Sequence, residues 1–409
     1  MFDLSPLAPQ VVPDLPAVAG VRVAGIAAGL KESGRPDLFM AELAKGSTIA
    51  GLFTQSACAS APVEWCRKVL PGGAVRGIVV NSGNANAFTG RAGDKTVAHT
   101  VREAARLLGC PQKQIFVAST GVIGNRVPEN YVSSKLKRLH KRLAPDAWPD
   151  AAAAILTTDT FSKVATRTAR IGDTDVTLVG MAKGSGMIAP DMATMLSFLF
   201  TDARIPATAL QTMLKRVVDR SFNCITVDSD TSTSDTILLA ATGQTEHPAV
   251  TSAGARVAKD FCAALESLAV DLATQVVRDG EGAQKLITID ISGAATARAA
   301  RRIGLTVANS PLFKTAIAGG DANWGRVVMA VGKAGEKADR DRMSIAFGGV
   351  EITRRGKPVP TYDEADVEEH LQGRDIHVAI DVGVGKGEAR VWTCDLTHGY
   401  ITINADYRT

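Results

Sequence analysis

Residues 183–196 read KGSGMIAPDMATML, a glycine-rich loop with one proline that runs directly into the apolar stretch TMLSFLF. A short apolar run that is bordered by glycine and proline is typical of a buried strand. Thr194 therefore stands at the point where a loop becomes a strand. Its hydroxyl is expected to be held rigidly beside a segment of flexible backbone.

The chemistry open to Thr194 depends on whether the peptide bond before it survives. An internal threonine hydroxyl is a weak nucleophile that needs a neighbouring base, usually histidine. The histidines of the chain are isolated, and none belongs to an HExxH or Gly-x-Ser-x-Gly pattern: His99, His140, His247, His370, His377 and His398. Cleavage between Ala193 and Thr194 would create an α-amino group with a pKa of about 7.7–8.0. That amine would lie beside the hydroxyl and serve as its base.

The same loop resembles the self-cleavage site of the ornithine acetyltransferases, also called glutamate N-acetyltransferases, of arginine biosynthesis. Further segments resemble this family along nearly the whole chain: GLFTQSACASAPV (51–63), GIVVNSGNANAFTG (77–90), VASTGVIG (117–124), TTDT (157–160), SFNCITVDSDTSTSDT (221–236), SPLFKTAIAGGDANWGR (310–326) and the terminal NADYRT. Phe88, Cys224 and Ala322 stand where the family pattern has cysteine, arginine and proline. None of the three is a residue to which the resemblance assigns chemistry.

The resemblance implies a mixed α/β fold, namely a four-layer α-β-β-α sandwich of the N-terminal-nucleophile type with a smaller, sheet-rich C-terminal α/β domain. Residues 1–193 would form an α chain. Residues 194–284 would begin the β chain, supplying the nucleophile strand and the helices that complete the core. Residues 285–409 would form the C-terminal domain, whose tail returns to the active site. Two α and two β chains are expected to assemble into a heterotetramer.

The implied reaction transfers an acetyl group from N2-acetyl-L-ornithine to L-glutamate. It is a ping-pong exchange through an ester on Thr194, and it follows self-cleavage between Ala193 and Thr194. Thr120 and Gly121 are assigned by the resemblance to the oxyanion hole that stabilises the tetrahedral intermediates. The substrate-binding residues that it implies are Thr157, Lys183, Thr194, Glu281, Asn404 and Thr409. No cofactor is expected, because one amide is exchanged for another, and the sequence leaves open whether acetyl-CoA is a second donor.

The charged members of this set suit an amino-acid substrate. Lys183 can pair with a carboxylate, whereas Glu281 and the carboxylate of Thr409 can pair with an ammonium group. Taken singly, each has a more ordinary interpretation as a solvated lysine, a loop acid and a frayed terminus. Only their occurrence together with the Thr194 loop indicates a binding site.

Hydrophobic periodicity predicts helices between the strands. Residues 94–109 have apolar side chains on one helical face and end at Gly109, the expected C-terminal cap. A second helix is predicted over residues 206–220. A longer one is predicted around residues 261–276, closed by Gly280.

Short buried strands are predicted at GIVVNSG and QIFVASTG, each ending in a glycine turn. Past residue 285 the periodicity changes to two, with Ile287, Ile289 and Ile291 on one face. A second alternating run over 376–384 leads through a GKG turn into EARVWT, which predicts a hairpin. The proline-rich first sixteen residues are expected to be loosely ordered.

Composition excludes several function classes. The 46 basic and 42 acidic residues are dispersed and give a net charge of +4, and aromatic residues make up only 5% of the chain, so nucleic-acid binding is not expected. The six cysteines have no CxxC spacing, which favours free thiols in a reducing compartment. No apolar run approaches the roughly 20 residues of a membrane span, and no targeting segment is recognised. We expect a cytoplasmic enzyme without a metal site.

The sequence leaves three alternatives open. The segment CITVDSDTS, with Asp228 and Asp230, nearly copies the DxDxT nucleophile motif of magnesium-dependent phosphatases, but Ser232 stands where threonine or valine belongs. We expect these acids to organise a turn by bonding to nearby backbone. An N-terminal-threonine amidohydrolase or aminopeptidase would use the same nucleophile, with water accepting the acyl group. A third alternative is an uncleaved binding protein.

Overall fold

The computed structural model describes residues 3–189, 195–362 and 364–406. In these ranges the strands are β1 (Val21–Ile26), β2 (Leu38–Leu43), β3 (Thr48–Phe53), β4 (Gly77–Asn84), β5 (Ile115–Val122), β6 (Lys163–Ile171), β7 (Thr174–Lys183), β8 (Leu196–Thr201), β9 (Thr236–Ala241), β10 (Leu286–Ala294), β11 (Ser344–Phe347), β12 (Val350–Arg354), β13 (Lys357–Pro358), β14 (Asp375–Asp381) and β15 (Gly387–Cys394). The α-helices are α1 (Ala61–Val69), α2 (Gly90–Leu108), α3 (Tyr131–His140), α4 (Trp148–Ala154), α5 (Ala207–Val218), α6 (Lys259–Arg278), α7 (Ala297–Ala308), α8 (Pro311–Ala318), α9 (Trp324–Gly332), α10 (Glu364–Gln372) and α11 (His398–Asp406).

Two sheets lie face to face and form the centre of the molecule. The first has the order β1-β2-β4-β5 and the second the order β3-β9-β8-β7-β6. Phe39 of the first and Phe198 of the second meet between them, with ring centroids 5.7 Å apart. Strand alternation places the larger apolar side chains of both inner faces in one shared core.

Helices cover the outer face of each central sheet. Cys66 of α1 bonds through its sulfur to the backbone of Val117 in β5, on the outside of the first sheet. On the second sheet, Leu268 and Leu272 of α6 pack over Gly180 in β7, where any side chain would clash with them. The order helix, sheet, sheet, helix confirms the predicted four-layer sandwich.

The third sheet, with the order β13-β12-β11-β14-β10-β15, lies in the C-terminal part of the chain, as the period-two pattern predicts. Strands β10 and β14 run parallel, whereas β15 pairs with β10 in antiparallel fashion. Helix α7 packs on this sheet, and its Gly304 lies against Val391 and Ile291. The divisions at 193/194 and 284/285 stay predictions. In the described part of the chain, no helix combines the length and apolarity needed to cross a membrane.

Helix ends match the sequence pattern in one case and differ in another. Helix α2 ends at Leu108, and Gly109 caps it with a left-handed φ of 59°. Helix α6 ends at Arg278 with Asp279 as its cap, so the prediction that Gly280 closes it is wrong. Gly280 is needed for close packing, because an added Cβ would lie 2.8 Å from the sulfur of Cys394.

The prediction that the N-terminal segment is loosely ordered is wrong at Ser5, Leu7 and Pro16, which contact distant elements. This segment has no regular secondary structure, but its backbone and side chains are bonded to distant elements. Ser5 lies outside the helices and strands. Its N–H donates to Thr160 Oγ1 at 3.0 Å, and its hydroxyl donates to the carbonyl of Arg278. Leu7 is 4% exposed. Proline content therefore reflects an extended path over the core and not a lack of contacts.

Replacing Gly109 by alanine is expected to destabilise the protein by about 1 kcal/mol, because alanine avoids the left-handed region that this cap requires. The measurement is the midpoint of urea unfolding. Gly332→Ala is the matched control, since Gly332 ends α9, has an ordinary φ and has open space around it. Equal midpoints for Gly109→Ala and the unaltered protein would contradict the assignment of the cap.

Candidate active site

A cleft opens between the two central sheets where β5, β7 and β8 have their ends. It encloses about 910 Å³, part of which is open to solvent. Six of the residues predicted from the sequence line it together: Thr120, Gly121, Thr157, Lys183, Glu281 and Asn404. They come from segments far apart in the chain, so the fold brings the predicted set to one place.

Three predicted residues, Ala193, Thr194 and Thr409, lie outside the described residues. Their predicted roles as cleavage site, nucleophile and binding residue stay predictions. Met195 and Leu196, which follow Thr194 in the chain, both line the cleft. Strand β8 begins at Leu196, in agreement with the strand predicted from the sequence.

The sequence predicts a glycine turn at Thr120–Gly121. In the structure both residues instead lie within β5, close to its end. Thr120 is 8% exposed and its hydroxyl accepts a hydrogen bond from Lys183 Nζ at 3.1 Å. Gly121 has a φ of 127°, and an added Cβ would lie 2.4 Å from the backbone of Gly83 in the neighbouring strand. Both the conformation and this close approach require glycine.

Lys183, at the end of β7, is held near a buried ion cluster that the sequence analysis did not find. Lys163 is fully buried and donates to Asp159 at 2.7 Å and to Asp279 at 2.5 Å. Asp159 in turn accepts from the N–H of Gly184 at 2.7 Å, directly after Lys183. The cluster therefore fixes the backbone on which Lys183 is carried.

The Asp159 carboxylate also positions Thr157, which lines the cleft. Asp159 accepts a second backbone hydrogen bond, from the N–H of Thr157 at 2.8 Å. Burial alone would raise the pKa of Asp159, but the positive charges of Lys163 and Lys183 outweigh burial and lower that pKa below its ordinary value. Asp159 is therefore a stable anion, suited to hold amide donors on both sides of the cleft.

Glu281 forms the acidic side of the cleft. Its carboxylate accepts from Asn404 Nδ2 of α11 at 2.8 Å and from the hydroxyl of Thr158. An added Cβ on Gly186 would lie 2.4 Å from the Glu281 carboxyl carbon, so glycine at this place in the loop makes room for the acid. Burial raises the pKa of Glu281, with these hydrogen bonds opposing the shift.

Lys183 forms the basic side. Its side chain is almost wholly buried, and burial lowers its pKa, which the nearby Asp159 only partly offsets. A buried cation and a buried anion that face one cleft from different elements each gain from a ligand group of opposite charge. The cleft is therefore suited to a small zwitterion with a further charged end.

Asp228 has a role that differs from the prediction for the acids of CITVDSDTS. Its carboxylate accepts from the N–H groups of Met187 at 2.7 Å and Ile188 at 2.8 Å, about 40 residues away in the chain. A local bond, from the N–H of Asp230 at 3.3 Å, matches the predicted turn. Asp228 thus anchors the glycine-rich loop that precedes Pro190, and nothing local in the sequence signals that contact.

Comparison with known proteins gives the family. The ArgJ family model matches residues 22–409. The chain is 54% identical over 410 residues to the arginine biosynthesis bifunctional protein ArgJ of Bradyrhizobium diazoefficiens, covering 100% of this chain and 99% of the relative. It is 52% identical over 408 residues to the protein of the same name from Gluconobacter oxydans, covering 100% and 96%.

A solved structure agrees with these sequence matches. The crystal structure of the arginine biosynthesis bifunctional protein ArgJ from Bacillus halodurans is 38% identical to the chain and superposes with a TM-score of 0.50. The superposed region covers 52% of this chain and 100% of the solved chain. A family match over nearly the whole length and relatives of more than half identity show that this chain belongs to the ArgJ family and is an acetyltransferase.

Proposed function

We propose that this enzyme cuts its own chain between Ala193 and Thr194 and then transfers an acetyl group from N2-acetyl-L-ornithine to L-glutamate through an ester on Thr194. The observation that carries the proposal is the convergence of Thr120, Gly121 and Lys183 with Glu281 on one cleft that Met195 also lines. Thr194, the proposed nucleophile, directly precedes Met195 in the chain. The cleft that Met195 lines also contains the proposed oxyanion donors and the two charged residues proposed to bind the substrate.

The loop before the proposed cleavage site is anchored at two points, which supports self-cleavage. Asp159 holds the N–H of Gly184, and Asp228 holds those of Met187 and Ile188. The strand β8 on the other side is paired with both β7 and β9. A peptide bond between two fixed ends can be held in the conformation in which a neighbouring hydroxyl attacks it, which lowers the entropic cost of the step.

The proposed chemistry uses the Thr194 hydroxyl and the groups that line the cleft. In processing, the Thr194 hydroxyl attacks the Ala193 carbonyl, and water hydrolyses the resulting ester. In turnover, the same hydroxyl attacks the acetyl carbon, with its own α-amino group as the base. Both tetrahedral intermediates carry an oxyanion, for which the Thr120 hydroxyl and the Gly121 N–H would be the donors.

The charges of the cleft suit ornithine. Lys183 would pair with the α-carboxylate and Glu281 with the side-chain ammonium, so each buried charge gains the partner that burial makes favourable. Asn404 keeps the Glu281 carboxylate in position from α11. Thr157, whose backbone is held by Asp159, would contribute a further hydrogen bond to the substrate.

Intact-mass spectrometry after brief incubation with acetylornithine tests this proposal. We expect two chains split at residue 193, with the mass of one acetyl group added to the chain that begins at Thr194. Adding glutamate should remove that group and yield N-acetylglutamate. Release of free acetate instead would indicate hydrolysis, and active protein with an uncut chain would refute the proposal.

Replacing Glu281 by glutamine is expected to raise KM for acetylornithine roughly 10- to 100-fold, the cost of losing one charge-assisted hydrogen bond. The KM for glutamate should change less, because its side chain carries no ammonium group. Steady-state kinetics with each substrate varied in turn measures both. Glu266→Gln is the control, since Glu266 lies at the surface beside Arg220. An equal rise for both substrates would contradict the pairing of Glu281 with ornithine.

The proposal extends to assembly and setting. We expect two α and two β chains in the mature enzyme. Incubation with acetyl-CoA in place of acetylornithine, followed by the same intact-mass measurement, tests acetyl-CoA as a second donor. All six cysteines are free thiols, three of them buried, as suits a reducing cytoplasm. No cofactor enters any proposed step.

A further inference from the structure

Asp235 is a buried carboxyl in the wall of the cleft that none of the proposed steps uses. It directly precedes β9 and is 2% exposed. Its carboxyl accepts hydrogen bonds from the N–H of Met195 and from the hydroxyl of Ser232. Its second oxygen, Oδ2, is buried and has no partner within the described ranges of the chain. A buried polar atom without a partner is rare in folded proteins and marks a place that calls for a functional reason.

The bond to Met195 sets the distance from Asp235 to the proposed reaction. The nitrogen of Met195 is covalently attached to the carbonyl carbon of Thr194, and consecutive Cα atoms are about 3.8 Å apart. The register is fixed, because Thr236 pairs with Leu196 and its N–H donates to the carbonyl of Met195 at 3.0 Å. Asp235 is therefore held one residue away from the proposed nucleophile.

The charge around Asp235 favours its neutral form. Burial raises the pKa of Asp235 well above its usual value, and the attraction of Lys183 across the cleft only opposes that shift. The other described charged groups that line the cleft, Asp228, Asp230 and Glu281, are acids that add no positive charge. A neutral Asp235 carboxyl has a hydroxyl proton to donate. If Oδ2 carries that proton, no group within the described ranges accepts a hydrogen bond from it.

We propose that Asp235 is a further catalytic residue, the general acid that gives its proton to the departing amine of ornithine; this inference rests on the proposed function. The Thr194 oxygen bonds to the acetyl carbon as the carbon–nitrogen bond breaks. The hydroxyl proton goes to the Thr194 α-amino group, and the Asp235 proton goes to the ornithine nitrogen. In the second half the glutamate nitrogen bonds to the acetyl carbon and gives its proton back to Asp235, and the α-ammonium returns its proton to the Thr194 oxygen.

The test compares an amide donor, acetylornithine, with an activated ester donor, p-nitrophenyl acetate, whose leaving group needs no proton. For Asp235→Asn we expect acylation by acetylornithine to fall about 10²- to 10⁴-fold, while acylation by the ester stays within about threefold of the unaltered enzyme. Burst kinetics and intact mass measure both, normalised to the cleaved chain.

Asp395→Asn is the matched control. Asp395 is also buried, accepts two backbone N–H bonds and has an oxygen without a partner within the described ranges, but it lies outside the cleft. Both donors should acylate this variant at the unaltered rate. If Asp235→Asn lowers both donors equally, or neither, the proposal is wrong.

A measurement on the unaltered enzyme covers the case in which Asp235→Asn does not fold or is not cleaved. The base limb of the pH profile is common to both donors, and saturating acetylornithine keeps the titration of the binding groups Lys183 and Glu281 out of its acylation rate. The ratio of the acylation rate at saturating acetylornithine to the acylation rate with the ester therefore isolates the acid. That ratio should fall as pH rises through the pKa of Asp235, and a flat ratio would overturn the inference. Failure of the unaltered enzyme to take acetyl from acetylornithine while it accepts the ester would instead refute the proposed function.

Discussion

Replacing Thr194 by alanine is expected to leave a single intact chain and to reduce acetyl transfer by about 10⁴-fold or more, because one hydroxyl is both the cleaving and the acyl-carrying group. Without that hydroxyl, the proposed attack on the Ala193 carbonyl cannot take place. The α-amino base is never created, so the loss cannot be offset by another group of the cleft. Denaturing gel electrophoresis and intact mass after incubation with acetylornithine measure the two effects.

Two further variants make this result specific. Thr194→Ser keeps a hydroxyl and should give two chains and measurable transfer. Thr212→Ala removes an exposed hydroxyl on α5 and should behave as the unaltered enzyme. Two bands from Thr194→Ala, or an acetyl group on any other side chain, would show that the nucleophile lies elsewhere.

Replacing Lys163 by methionine is expected to destabilise the protein by about 3–5 kcal/mol, because it leaves Asp159 and Asp279 buried without the ammonium group that contacts both carboxylates. The side chains of all three residues are inaccessible to solvent, so water cannot take over the role of the ammonium group. Loss of the cluster should also release the N–H groups of Thr157 and Gly184 from Asp159 and so lower activity in the protein that remains folded. The midpoint of denaturant unfolding measures the first effect.

The control for this prediction removes the same charge at the surface. Lys215 is exposed on α5, and Lys215→Met should leave the unfolding midpoint within the scatter of the measurement. Adding Asp159→Asn and Asp279→Asn to Lys163→Met should recover most of the lost stability, because neither carboxylate then stays buried as an unpaired charge. If the triple variant recovers its stability but not its activity, the loss of stability is separated from the role of Asp159 in positioning Thr157 and Gly184.

The sequence by itself determined the mixed α and β elements, and its resemblance to a known family implied the four layers and most of the cleft. Helix α2 with its cap at Gly109 and the strands around the Thr194 loop follow from the spacing of apolar residues, which acts over one or two turns of chain. The resemblance of whole segments indicated Lys183 and Glu281, and the fold places both on the cleft. Locally repeating patterns therefore predicted the helices and strands, whereas the residues of the cleft were indicated by the resemblance.

Only the tertiary structure decided which acids act on which backbone. Asp279 meets Lys163 across 116 residues, and Asp228 meets Ile188 across 40. No periodicity links such positions. A buried carboxylate is stabilised by the amides and cations that the fold brings to it, and these are not its neighbours in the chain. The same reason hid Asp235, whose place beside Met195 arises from the pairing of β8 with β9 and is invisible in the sequence.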